Sequence, residues 1–212
     1  MTDIACHILP GSPFARMVRV LARELGVPIR EMVVADFPPD PALLDINPLG
    51  QVPALVVDAG VYFPTEIALA ALGDAASLSG PVPAPLRLSG YDLSRRQLLS
   101  VVLALGDQIV ARQYRGWAGL APSGPNRLGF DMDKRALERI ATTLSWLEAR
   151  VTPAGFDPAG LTLSDIALAC LLMWTDARGP IPWRGRPGLE ALVDRLAQRE
   201  SFAATVPPPY AG

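Results

Sequence analysis

An α/β domain followed by an all-helical domain is the architecture this 212-residue sequence predicts, and three features carry that prediction. Strand-length apolar runs alternate with helical periods between Ile4 and Ala76. A stretch rich in proline, glycine and serine, residues 79–85 (SGPVPAP), follows. Beyond it only helical periodicity remains.

The elements come in this order. Residues 4–9 (IACHIL) read as a buried strand ended by Pro10 and Gly11. A helix follows, because Ser12 is a favoured cap, Pro13 a favoured first residue, and Phe14, Met17, Val18, Leu21 and Leu25 recur at helical spacing. Gly26 and Pro28 stop it, and Arg16, Arg19 and Arg23 fall on its polar face. Residues 30–34 read as a second strand. The prolines between Asp36 and Pro41 exclude a long regular element there, leaving a loop and a short helix at 43–46. Residues 54–57 and 61–63 are β-prone runs joined across Asp58, Ala59 and Gly60 as a hairpin. Thr65 then caps an Ala- and Leu-rich helix that ends near Ala76. Strand, helix, strand, short helix, strand, strand, helix makes a compact α/β unit over 1–78.

Residues 79–90 form the expected linker, and 91–212 the helical domain. Leu98, Val101, Val102, Leu105 and Ile109 make one stripe there, and Leu137, Ile140, Leu144, Leu147 and Val151 another. Thr162 and Asp165 ahead of an apolar run form a capping box with Asp in place of Glu. Leu189, Leu192, Val193 and Leu196 mark a last helix.

Composition narrows the function classes. Half the residues are hydrophobic and 19% are charged, enough for a sizeable core. A net charge of −2 gives no overall positive field to gather phosphates, so nucleic acid is not an expected partner. The first residues lack the basic region of a signal peptide, and the longest apolar run, 166–174, is far short of the ~20 residues of a membrane span. A soluble, cytoplasmic protein without a membrane partner is expected. Cys6 and Cys170 are the only cysteines, and neither has C-x-x-C or metal-ligand spacing, so buried reduced thiols are expected, with no disulfide and no metal site. His7 beside Cys6 is not a catalytic pair, because neighbours on a strand point to opposite faces.

Four segments carry a resemblance. Residues 11–20 (GSPFARMVRV) resemble the opening of cytosolic glutathione transferases, where strand one runs through a catalytic loop into helix one. Residues 47–55 (NPLGQVPAL) are similar to that family's N-P-x-G-x-V-P-x-L segment. Residues 162–167 (TLSDIA) look like its C-terminal capping box, and residues 199–207 (RESFAATVP) like its ending. The matches span both halves in the family's order. The resemblance implies a thioredoxin-like N-terminal domain that binds glutathione and a helical domain that shapes a second-substrate pocket.

It also implies roles. In the family the second proline of the central segment follows a cis peptide, here Val52-Pro53, and the turn presents the Val52 backbone to the cysteinyl part of glutathione like an added strand. A free thiol of pKa ~8.5 is mostly protonated at neutral pH, so the chemistry needs a group that favours the thiolate. A hydroxyl donor and the partly positive start of a helix both do so. Ser12 stands at such a place, and serine-type members put their catalytic hydroxyl in this loop. Ser-Pro is equally an ordinary helix start. A cysteine-type member would carry Cys there, which argues against thiol-exchange chemistry.

Where relatives read E-S-x-A-I, this chain reads residues 64–68 as PTEIA. Thr65 replaces the serine that receives the γ-glutamyl carboxylate, or serves only as a cap. Glu66 stands in for the missing acid toward the γ-glutamyl ammonium. Residues 35–45 contain no Lys, Arg or His for the glycine carboxylate, which leaves the neutral Gln51 and implies weaker affinity. Phe14, Tyr114 and Trp117 are assigned to the pocket around glutathione and the second substrate, while Trp174 lines it or fills the core. Arg112 and Arg115 are solvated helix-end charges or anion ligands. The implied function is a glutathione transferase, homodimeric, acting on a small apolar electrophile. The alternative is a catalytically silent binding or regulatory protein on the same fold.

Overall fold

The computed structural model describes residues 3–35, 40–120, 124–179 and 181–209. Its N-terminal part contains β1 (Ile4–Ile8), α1 (Pro13–Glu24), β2 (Arg30–Val33), α2 (Pro41–Ile46), β3 (Ala54–Val57), β4 (Gly60–Tyr62) and α3 (Thr65–Ser77). The four strands form one mixed sheet in the order β2-β1-β3-β4. β1 pairs parallel with β2, which the intervening α1 makes possible, and antiparallel with β3; β3 and β4 form a hairpin. This is the predicted α/β arrangement. The residues between β2 and Asp40, where a loop is expected, lie largely outside the described segments.

The C-terminal part is helical: α4 (Leu93–Trp117), α5 (Met132–Glu148), α6 (Leu163–Arg178), α7 (Pro187–Ala197) and the short α8 (Glu200–Ala203). Between α3 and α4 the chain makes two 3₁₀ turns, Ala84–Leu86 and Leu88–Gly90. Tyr91, just before α4, fastens this crossing. Its hydroxyl donates to the Pro85 carbonyl and accepts from the Leu163 amide at 3.0 Å. Burial pushes the Tyr91 phenol up to about 12. Among the described residues no helix is long and apolar enough to cross a membrane.

α6 is the axis of the core, since twelve of its sixteen residues are buried. Its start is the expected capping box. Thr162 Oγ1 accepts from the Asp165 amide at 3.1 Å, and Asp165 Oδ2 accepts from the Thr162 amide at 2.8 Å. Asp165 also accepts from the Phe156 amide, so the preceding loop is held by the same carboxylate. α1 packs against α3 on one side and α6 on the other. The loop that begins α1 is therefore fixed by both halves of the molecule.

Three expectations are corrected here. Arg16 is not on a polar surface: it is 2% exposed, and its guanidinium donates to the Phe202 carbonyl (3.0 Å) and Thr205 Oγ1 while lying over the Phe202 ring. A cation can be buried here because the C-terminal segment supplies acceptors and a ring face. Thr65 is not the cap of α3. The cap position is Pro64, which has no side chain to donate or accept, and Thr65 is the first helical residue. The short helix starts at Pro41 rather than 43, because Asp40 Oδ1 accepts from the Ala42 amide at 2.9 Å and proline suits a first helical position.

Candidate active site

The site begins at the turn between β1 and α1. Ser12 caps α1: its Oγ accepts from the Ala15 amide at 3.2 Å, and its own amide donates to the Leu9 carbonyl at 2.9 Å. The capping bond uses a lone pair of the hydroxyl and leaves its proton free to be donated. Trp174 Nε1, from α6, donates to the Gly11 carbonyl at 2.8 Å and so ties the loop to the helical half. Phe14 reaches across to α4, where a Cβ on Gly106 would lie 2.9 Å from its ring. A side chain there would have to push the Phe14 ring aside.

Around this turn lies a cleft of about 880 Å³ between the two halves. Ser12, Phe14, Gln51, Val52, Thr65, Glu66, Tyr114 and Trp117 all line it. Pro53 does not line it, but the Val52-Pro53 peptide is cis, as the resemblance implies. A second cis peptide, Phe63-Pro64, which the sequence reading did not include, stands just before α3. Val52 and Thr65 both line the cleft from the N-terminal half and make one wall of it.

Unused backbone groups mark this wall. The amide and carbonyl of Val52, just ahead of β3, make no backbone hydrogen bond among the described residues and stay open to a ligand's backbone. The Thr65 and Glu66 amides at the start of α3 likewise have no backbone acceptor, as the first turn of a helix dictates. Thr65 is buried, with its hydroxyl unpartnered among the described residues. Open backbone groups at Val52 and a helix start suited to a carboxylate thus line the same cleft as the Ser12 hydroxyl. Gln51 is exposed at the rim.

The opposite wall is helical. Tyr114, Trp117 and Trp174 stack edge-on in succession, with ring centroids 5.3 and 6.2 Å apart. Trp174 is thus both core, at 2% exposure, and cleft wall. Arg112 pairs with Asp133 of α5 at 3.2 Å and is a tie between helices rather than an anion ligand. The sequence reading missed Asp107 of α4 and Arg178 at the end of α6, both of which line the cleft. Residues 100, 103, 104, 107, 110, 111 and 114 share one face of α4, and that spacing, beside the buried stripe, was the available signal.

Neither cysteine belongs to the site. Cys6 and Cys170 are fully buried, and burial pushes both thiols up to about 12. With no protein thiolate at hand, a nucleophilic sulfur in this cleft has to arrive on a ligand.

A small mixed sheet beneath a helical domain, with a cleft between them, is the two-domain fold of glutathione transferases. Residues 11–74 match the family model described as glutathione S-transferase, N-terminal domain, and residues 103–195 match that of the C-terminal domain. The chain belongs to the glutathione S-transferase superfamily. It is 29% identical over 204 residues to an uncharacterized GST-like protein, YibF, of Escherichia coli strain K12, covering 93% of this chain and 95% of that protein. Among solved structures, a glutathione transferase family member from Pseudomonas fluorescens Pf-5 with bound glutathione is 27% identical, with a TM-score of 0.70 over 97% of this chain and 100% of that one. A glutathione S-transferase from Methylobacterium radiotolerans in complex with glutathione sulfonate shares the fold, at 24% identity and a TM-score of 0.76 over 99% and 96% of the two chains.

Proposed function

We propose that this protein binds glutathione along the Val52–Thr65 wall and activates its thiol, through Ser12, for attack on a small apolar electrophile. The observation that carries the reading is the Ser12 hydroxyl, whose capping bond leaves a proton to donate at the open cleft. Helix capping and thiolate stabilisation are thereby compatible in one residue. The Val52 backbone meets the cysteinyl part of the peptide. Thr65, through its hydroxyl and the free amides behind it, takes the γ-glutamyl carboxylate, and Glu66 the ammonium. Gln51 donates to the glycine carboxylate, Pro53 sets the turn, and Phe14 bounds the sulfur's side of the cleft. Tyr114 and Trp117 form the bed for the electrophile. Support comes also from the glutathione seen in the Pseudomonas relative.

Attack by the thiolate on an electrophilic carbon forms the C–S bond as the leaving group departs with its electron pair. The thiol proton goes to solvent beforehand. Ser12 lowers the barrier by holding the sulfur as an anion and fixing its position. The protein acts in the cytoplasm as a homodimer, in a detoxifying role, with its domains divided at 79–90. Retention on immobilised glutathione, then turnover of a halonitroarene with glutathione, tests this reading. Binding with turnover is expected, and a folded protein that does neither overturns it. The exposed, uncharged Gln51 at the glycine end favours a second reading, a silent binding protein, which binding without turnover across several electrophile types would select.

A further inference from the structure

We infer that Asp107 makes the electrophile half of this cleft selective for a second substrate that carries a cationic or strongly hydrogen-bond-donating group beside its apolar body. This rests on the proposed function for the word substrate, but the recognition itself is a property of the cleft.

Asp107 stands midway along the cleft-facing side of α4. Its neighbours on that face are Leu103 and Ala104 on one side and Val110 and Ala111 on the other, and Asp107 itself is exposed. Asp107 makes no hydrogen bond and no ion pair among the described residues, whereas Asp133, Asp157, Asp165 and Asp176 of the helical half are each held by an arginine or by amides. On α4 the cleft lining about it is apolar apart from Ser100 and Tyr114, with Leu103, Ala104, Val110 and Ala111 closest along the chain and Trp117 at the helix end. Partial desolvation lifts its carboxyl above the ordinary value, with no positive group offsetting it.

Among the described residues the other charged groups of the cleft are Glu66, on the opposite wall, and Arg178, whose guanidinium donates to the Pro208 carbonyl. With Glu66 at the γ-glutamyl end, Asp107 is the carboxylate left among the described residues for the second ligand. An ammonium or amide donor lying over the Tyr114–Trp117 edge supplies what Asp107 lacks, and a carboxylate placed there meets like charge.

The test is equilibrium binding of phenethylammonium and of phenylacetate, similar in size and opposite in charge, read by quenching of tryptophan fluorescence without glutathione. The wild-type protein should bind the ammonium about fivefold more tightly, the scale of a partly exposed ion pair. Asp107→Asn should weaken the ammonium and strengthen the carboxylate, and that gain also reports a folded cleft. Equal affinities in the wild type, a preference that survives in Asp107→Asn, or binding of neither compound overturns the inference. Because glutathione is absent, failure here is distinct from failure of the proposed chemistry, which retention on glutathione reports separately.

Discussion

Trp174→Phe tests how the helical half positions the loop that carries Ser12. The substitution removes the Nε1 donor and leaves the Gly11 carbonyl without its 2.8 Å partner. An unsatisfied carbonyl at a partly buried site costs about 1–3 kcal/mol. The smaller ring adds a cavity term on the order of 1 kcal/mol, because Trp174 is 2% exposed and packed on Trp117. The expected loss is therefore about 2–4 kcal/mol, read as a lower urea midpoint with unchanged slope. Glutathione affinity should fall as well, by about fivefold if freeing the loop costs about 1 kcal/mol. Trp183→Phe is the control: Trp183 is as deeply buried, and its Nε1 donates to Asp176 at 2.8 Å, away from the cleft. It should lose comparable stability and keep its glutathione affinity. If Trp174→Phe also keeps full glutathione affinity while losing stability, the tie does not position the loop and the reasoning fails.

Thr65→Val should lower glutathione affinity about tenfold, the loss of a hydrogen bond to a charged group, while stability stays within about 0.5 kcal/mol because Thr65 is not the helix cap. A large loss of stability, read by urea unfolding, would return Thr65 to a structural role. Acid stability should depend on Glu24. Burial raises its pKa, but hydrogen bonds from Arg199 and Ser201 outweigh that and hold the carboxyl below its ordinary 4.5. A depressed carboxyl stabilises the fold above its unfolded value, and that contribution is lost as pH falls through the folded one. Glu24→Gln should therefore flatten the decline of melting temperature below pH 4.5, and an unchanged pH profile would deny the pair any role.

Much of this was legible in the sequence because it is local. The Pro10–Gly11 turn, Ser12 with Pro13, and the Thr162–Asp165 box are short-range patterns whose physics is complete within a few residues. The helical stripes were read closely, with Leu144 and Leu147 buried as expected, although Leu99 rather than Leu98 is fully enclosed on α4. What was not legible depends on contacts far apart in the chain. Arg16 looks like a surface charge until Thr205, 189 residues away, and Phe202 provide its acceptors. Thr65 looks like a cap until Pro64 is seen in that position. Spacing puts Asp107 on a face of α4 beside the buried stripe, but that this face and Arg178 of α6 border the cleft depends on how α4 and α6 pack, which periodicity within either helix does not encode.

The role of Ser12 is read from the pKa of the glutathione thiol bound to the protein, followed by ultraviolet absorbance of the thiolate across a pH titration. In the wild type it should lie well below the ~8.5 of a free thiol. In Ser12→Ala it should rise by about one to two units, the equivalent of a charge-assisted hydrogen bond of about 1.5–3 kcal/mol. That variant also loses the Ala15 cap, at a cost of about 1 kcal/mol that a stable two-domain fold survives, so binding remains measurable. A bound thiol with the same pKa in both proteins would contradict the central claim that Ser12 holds the thiolate.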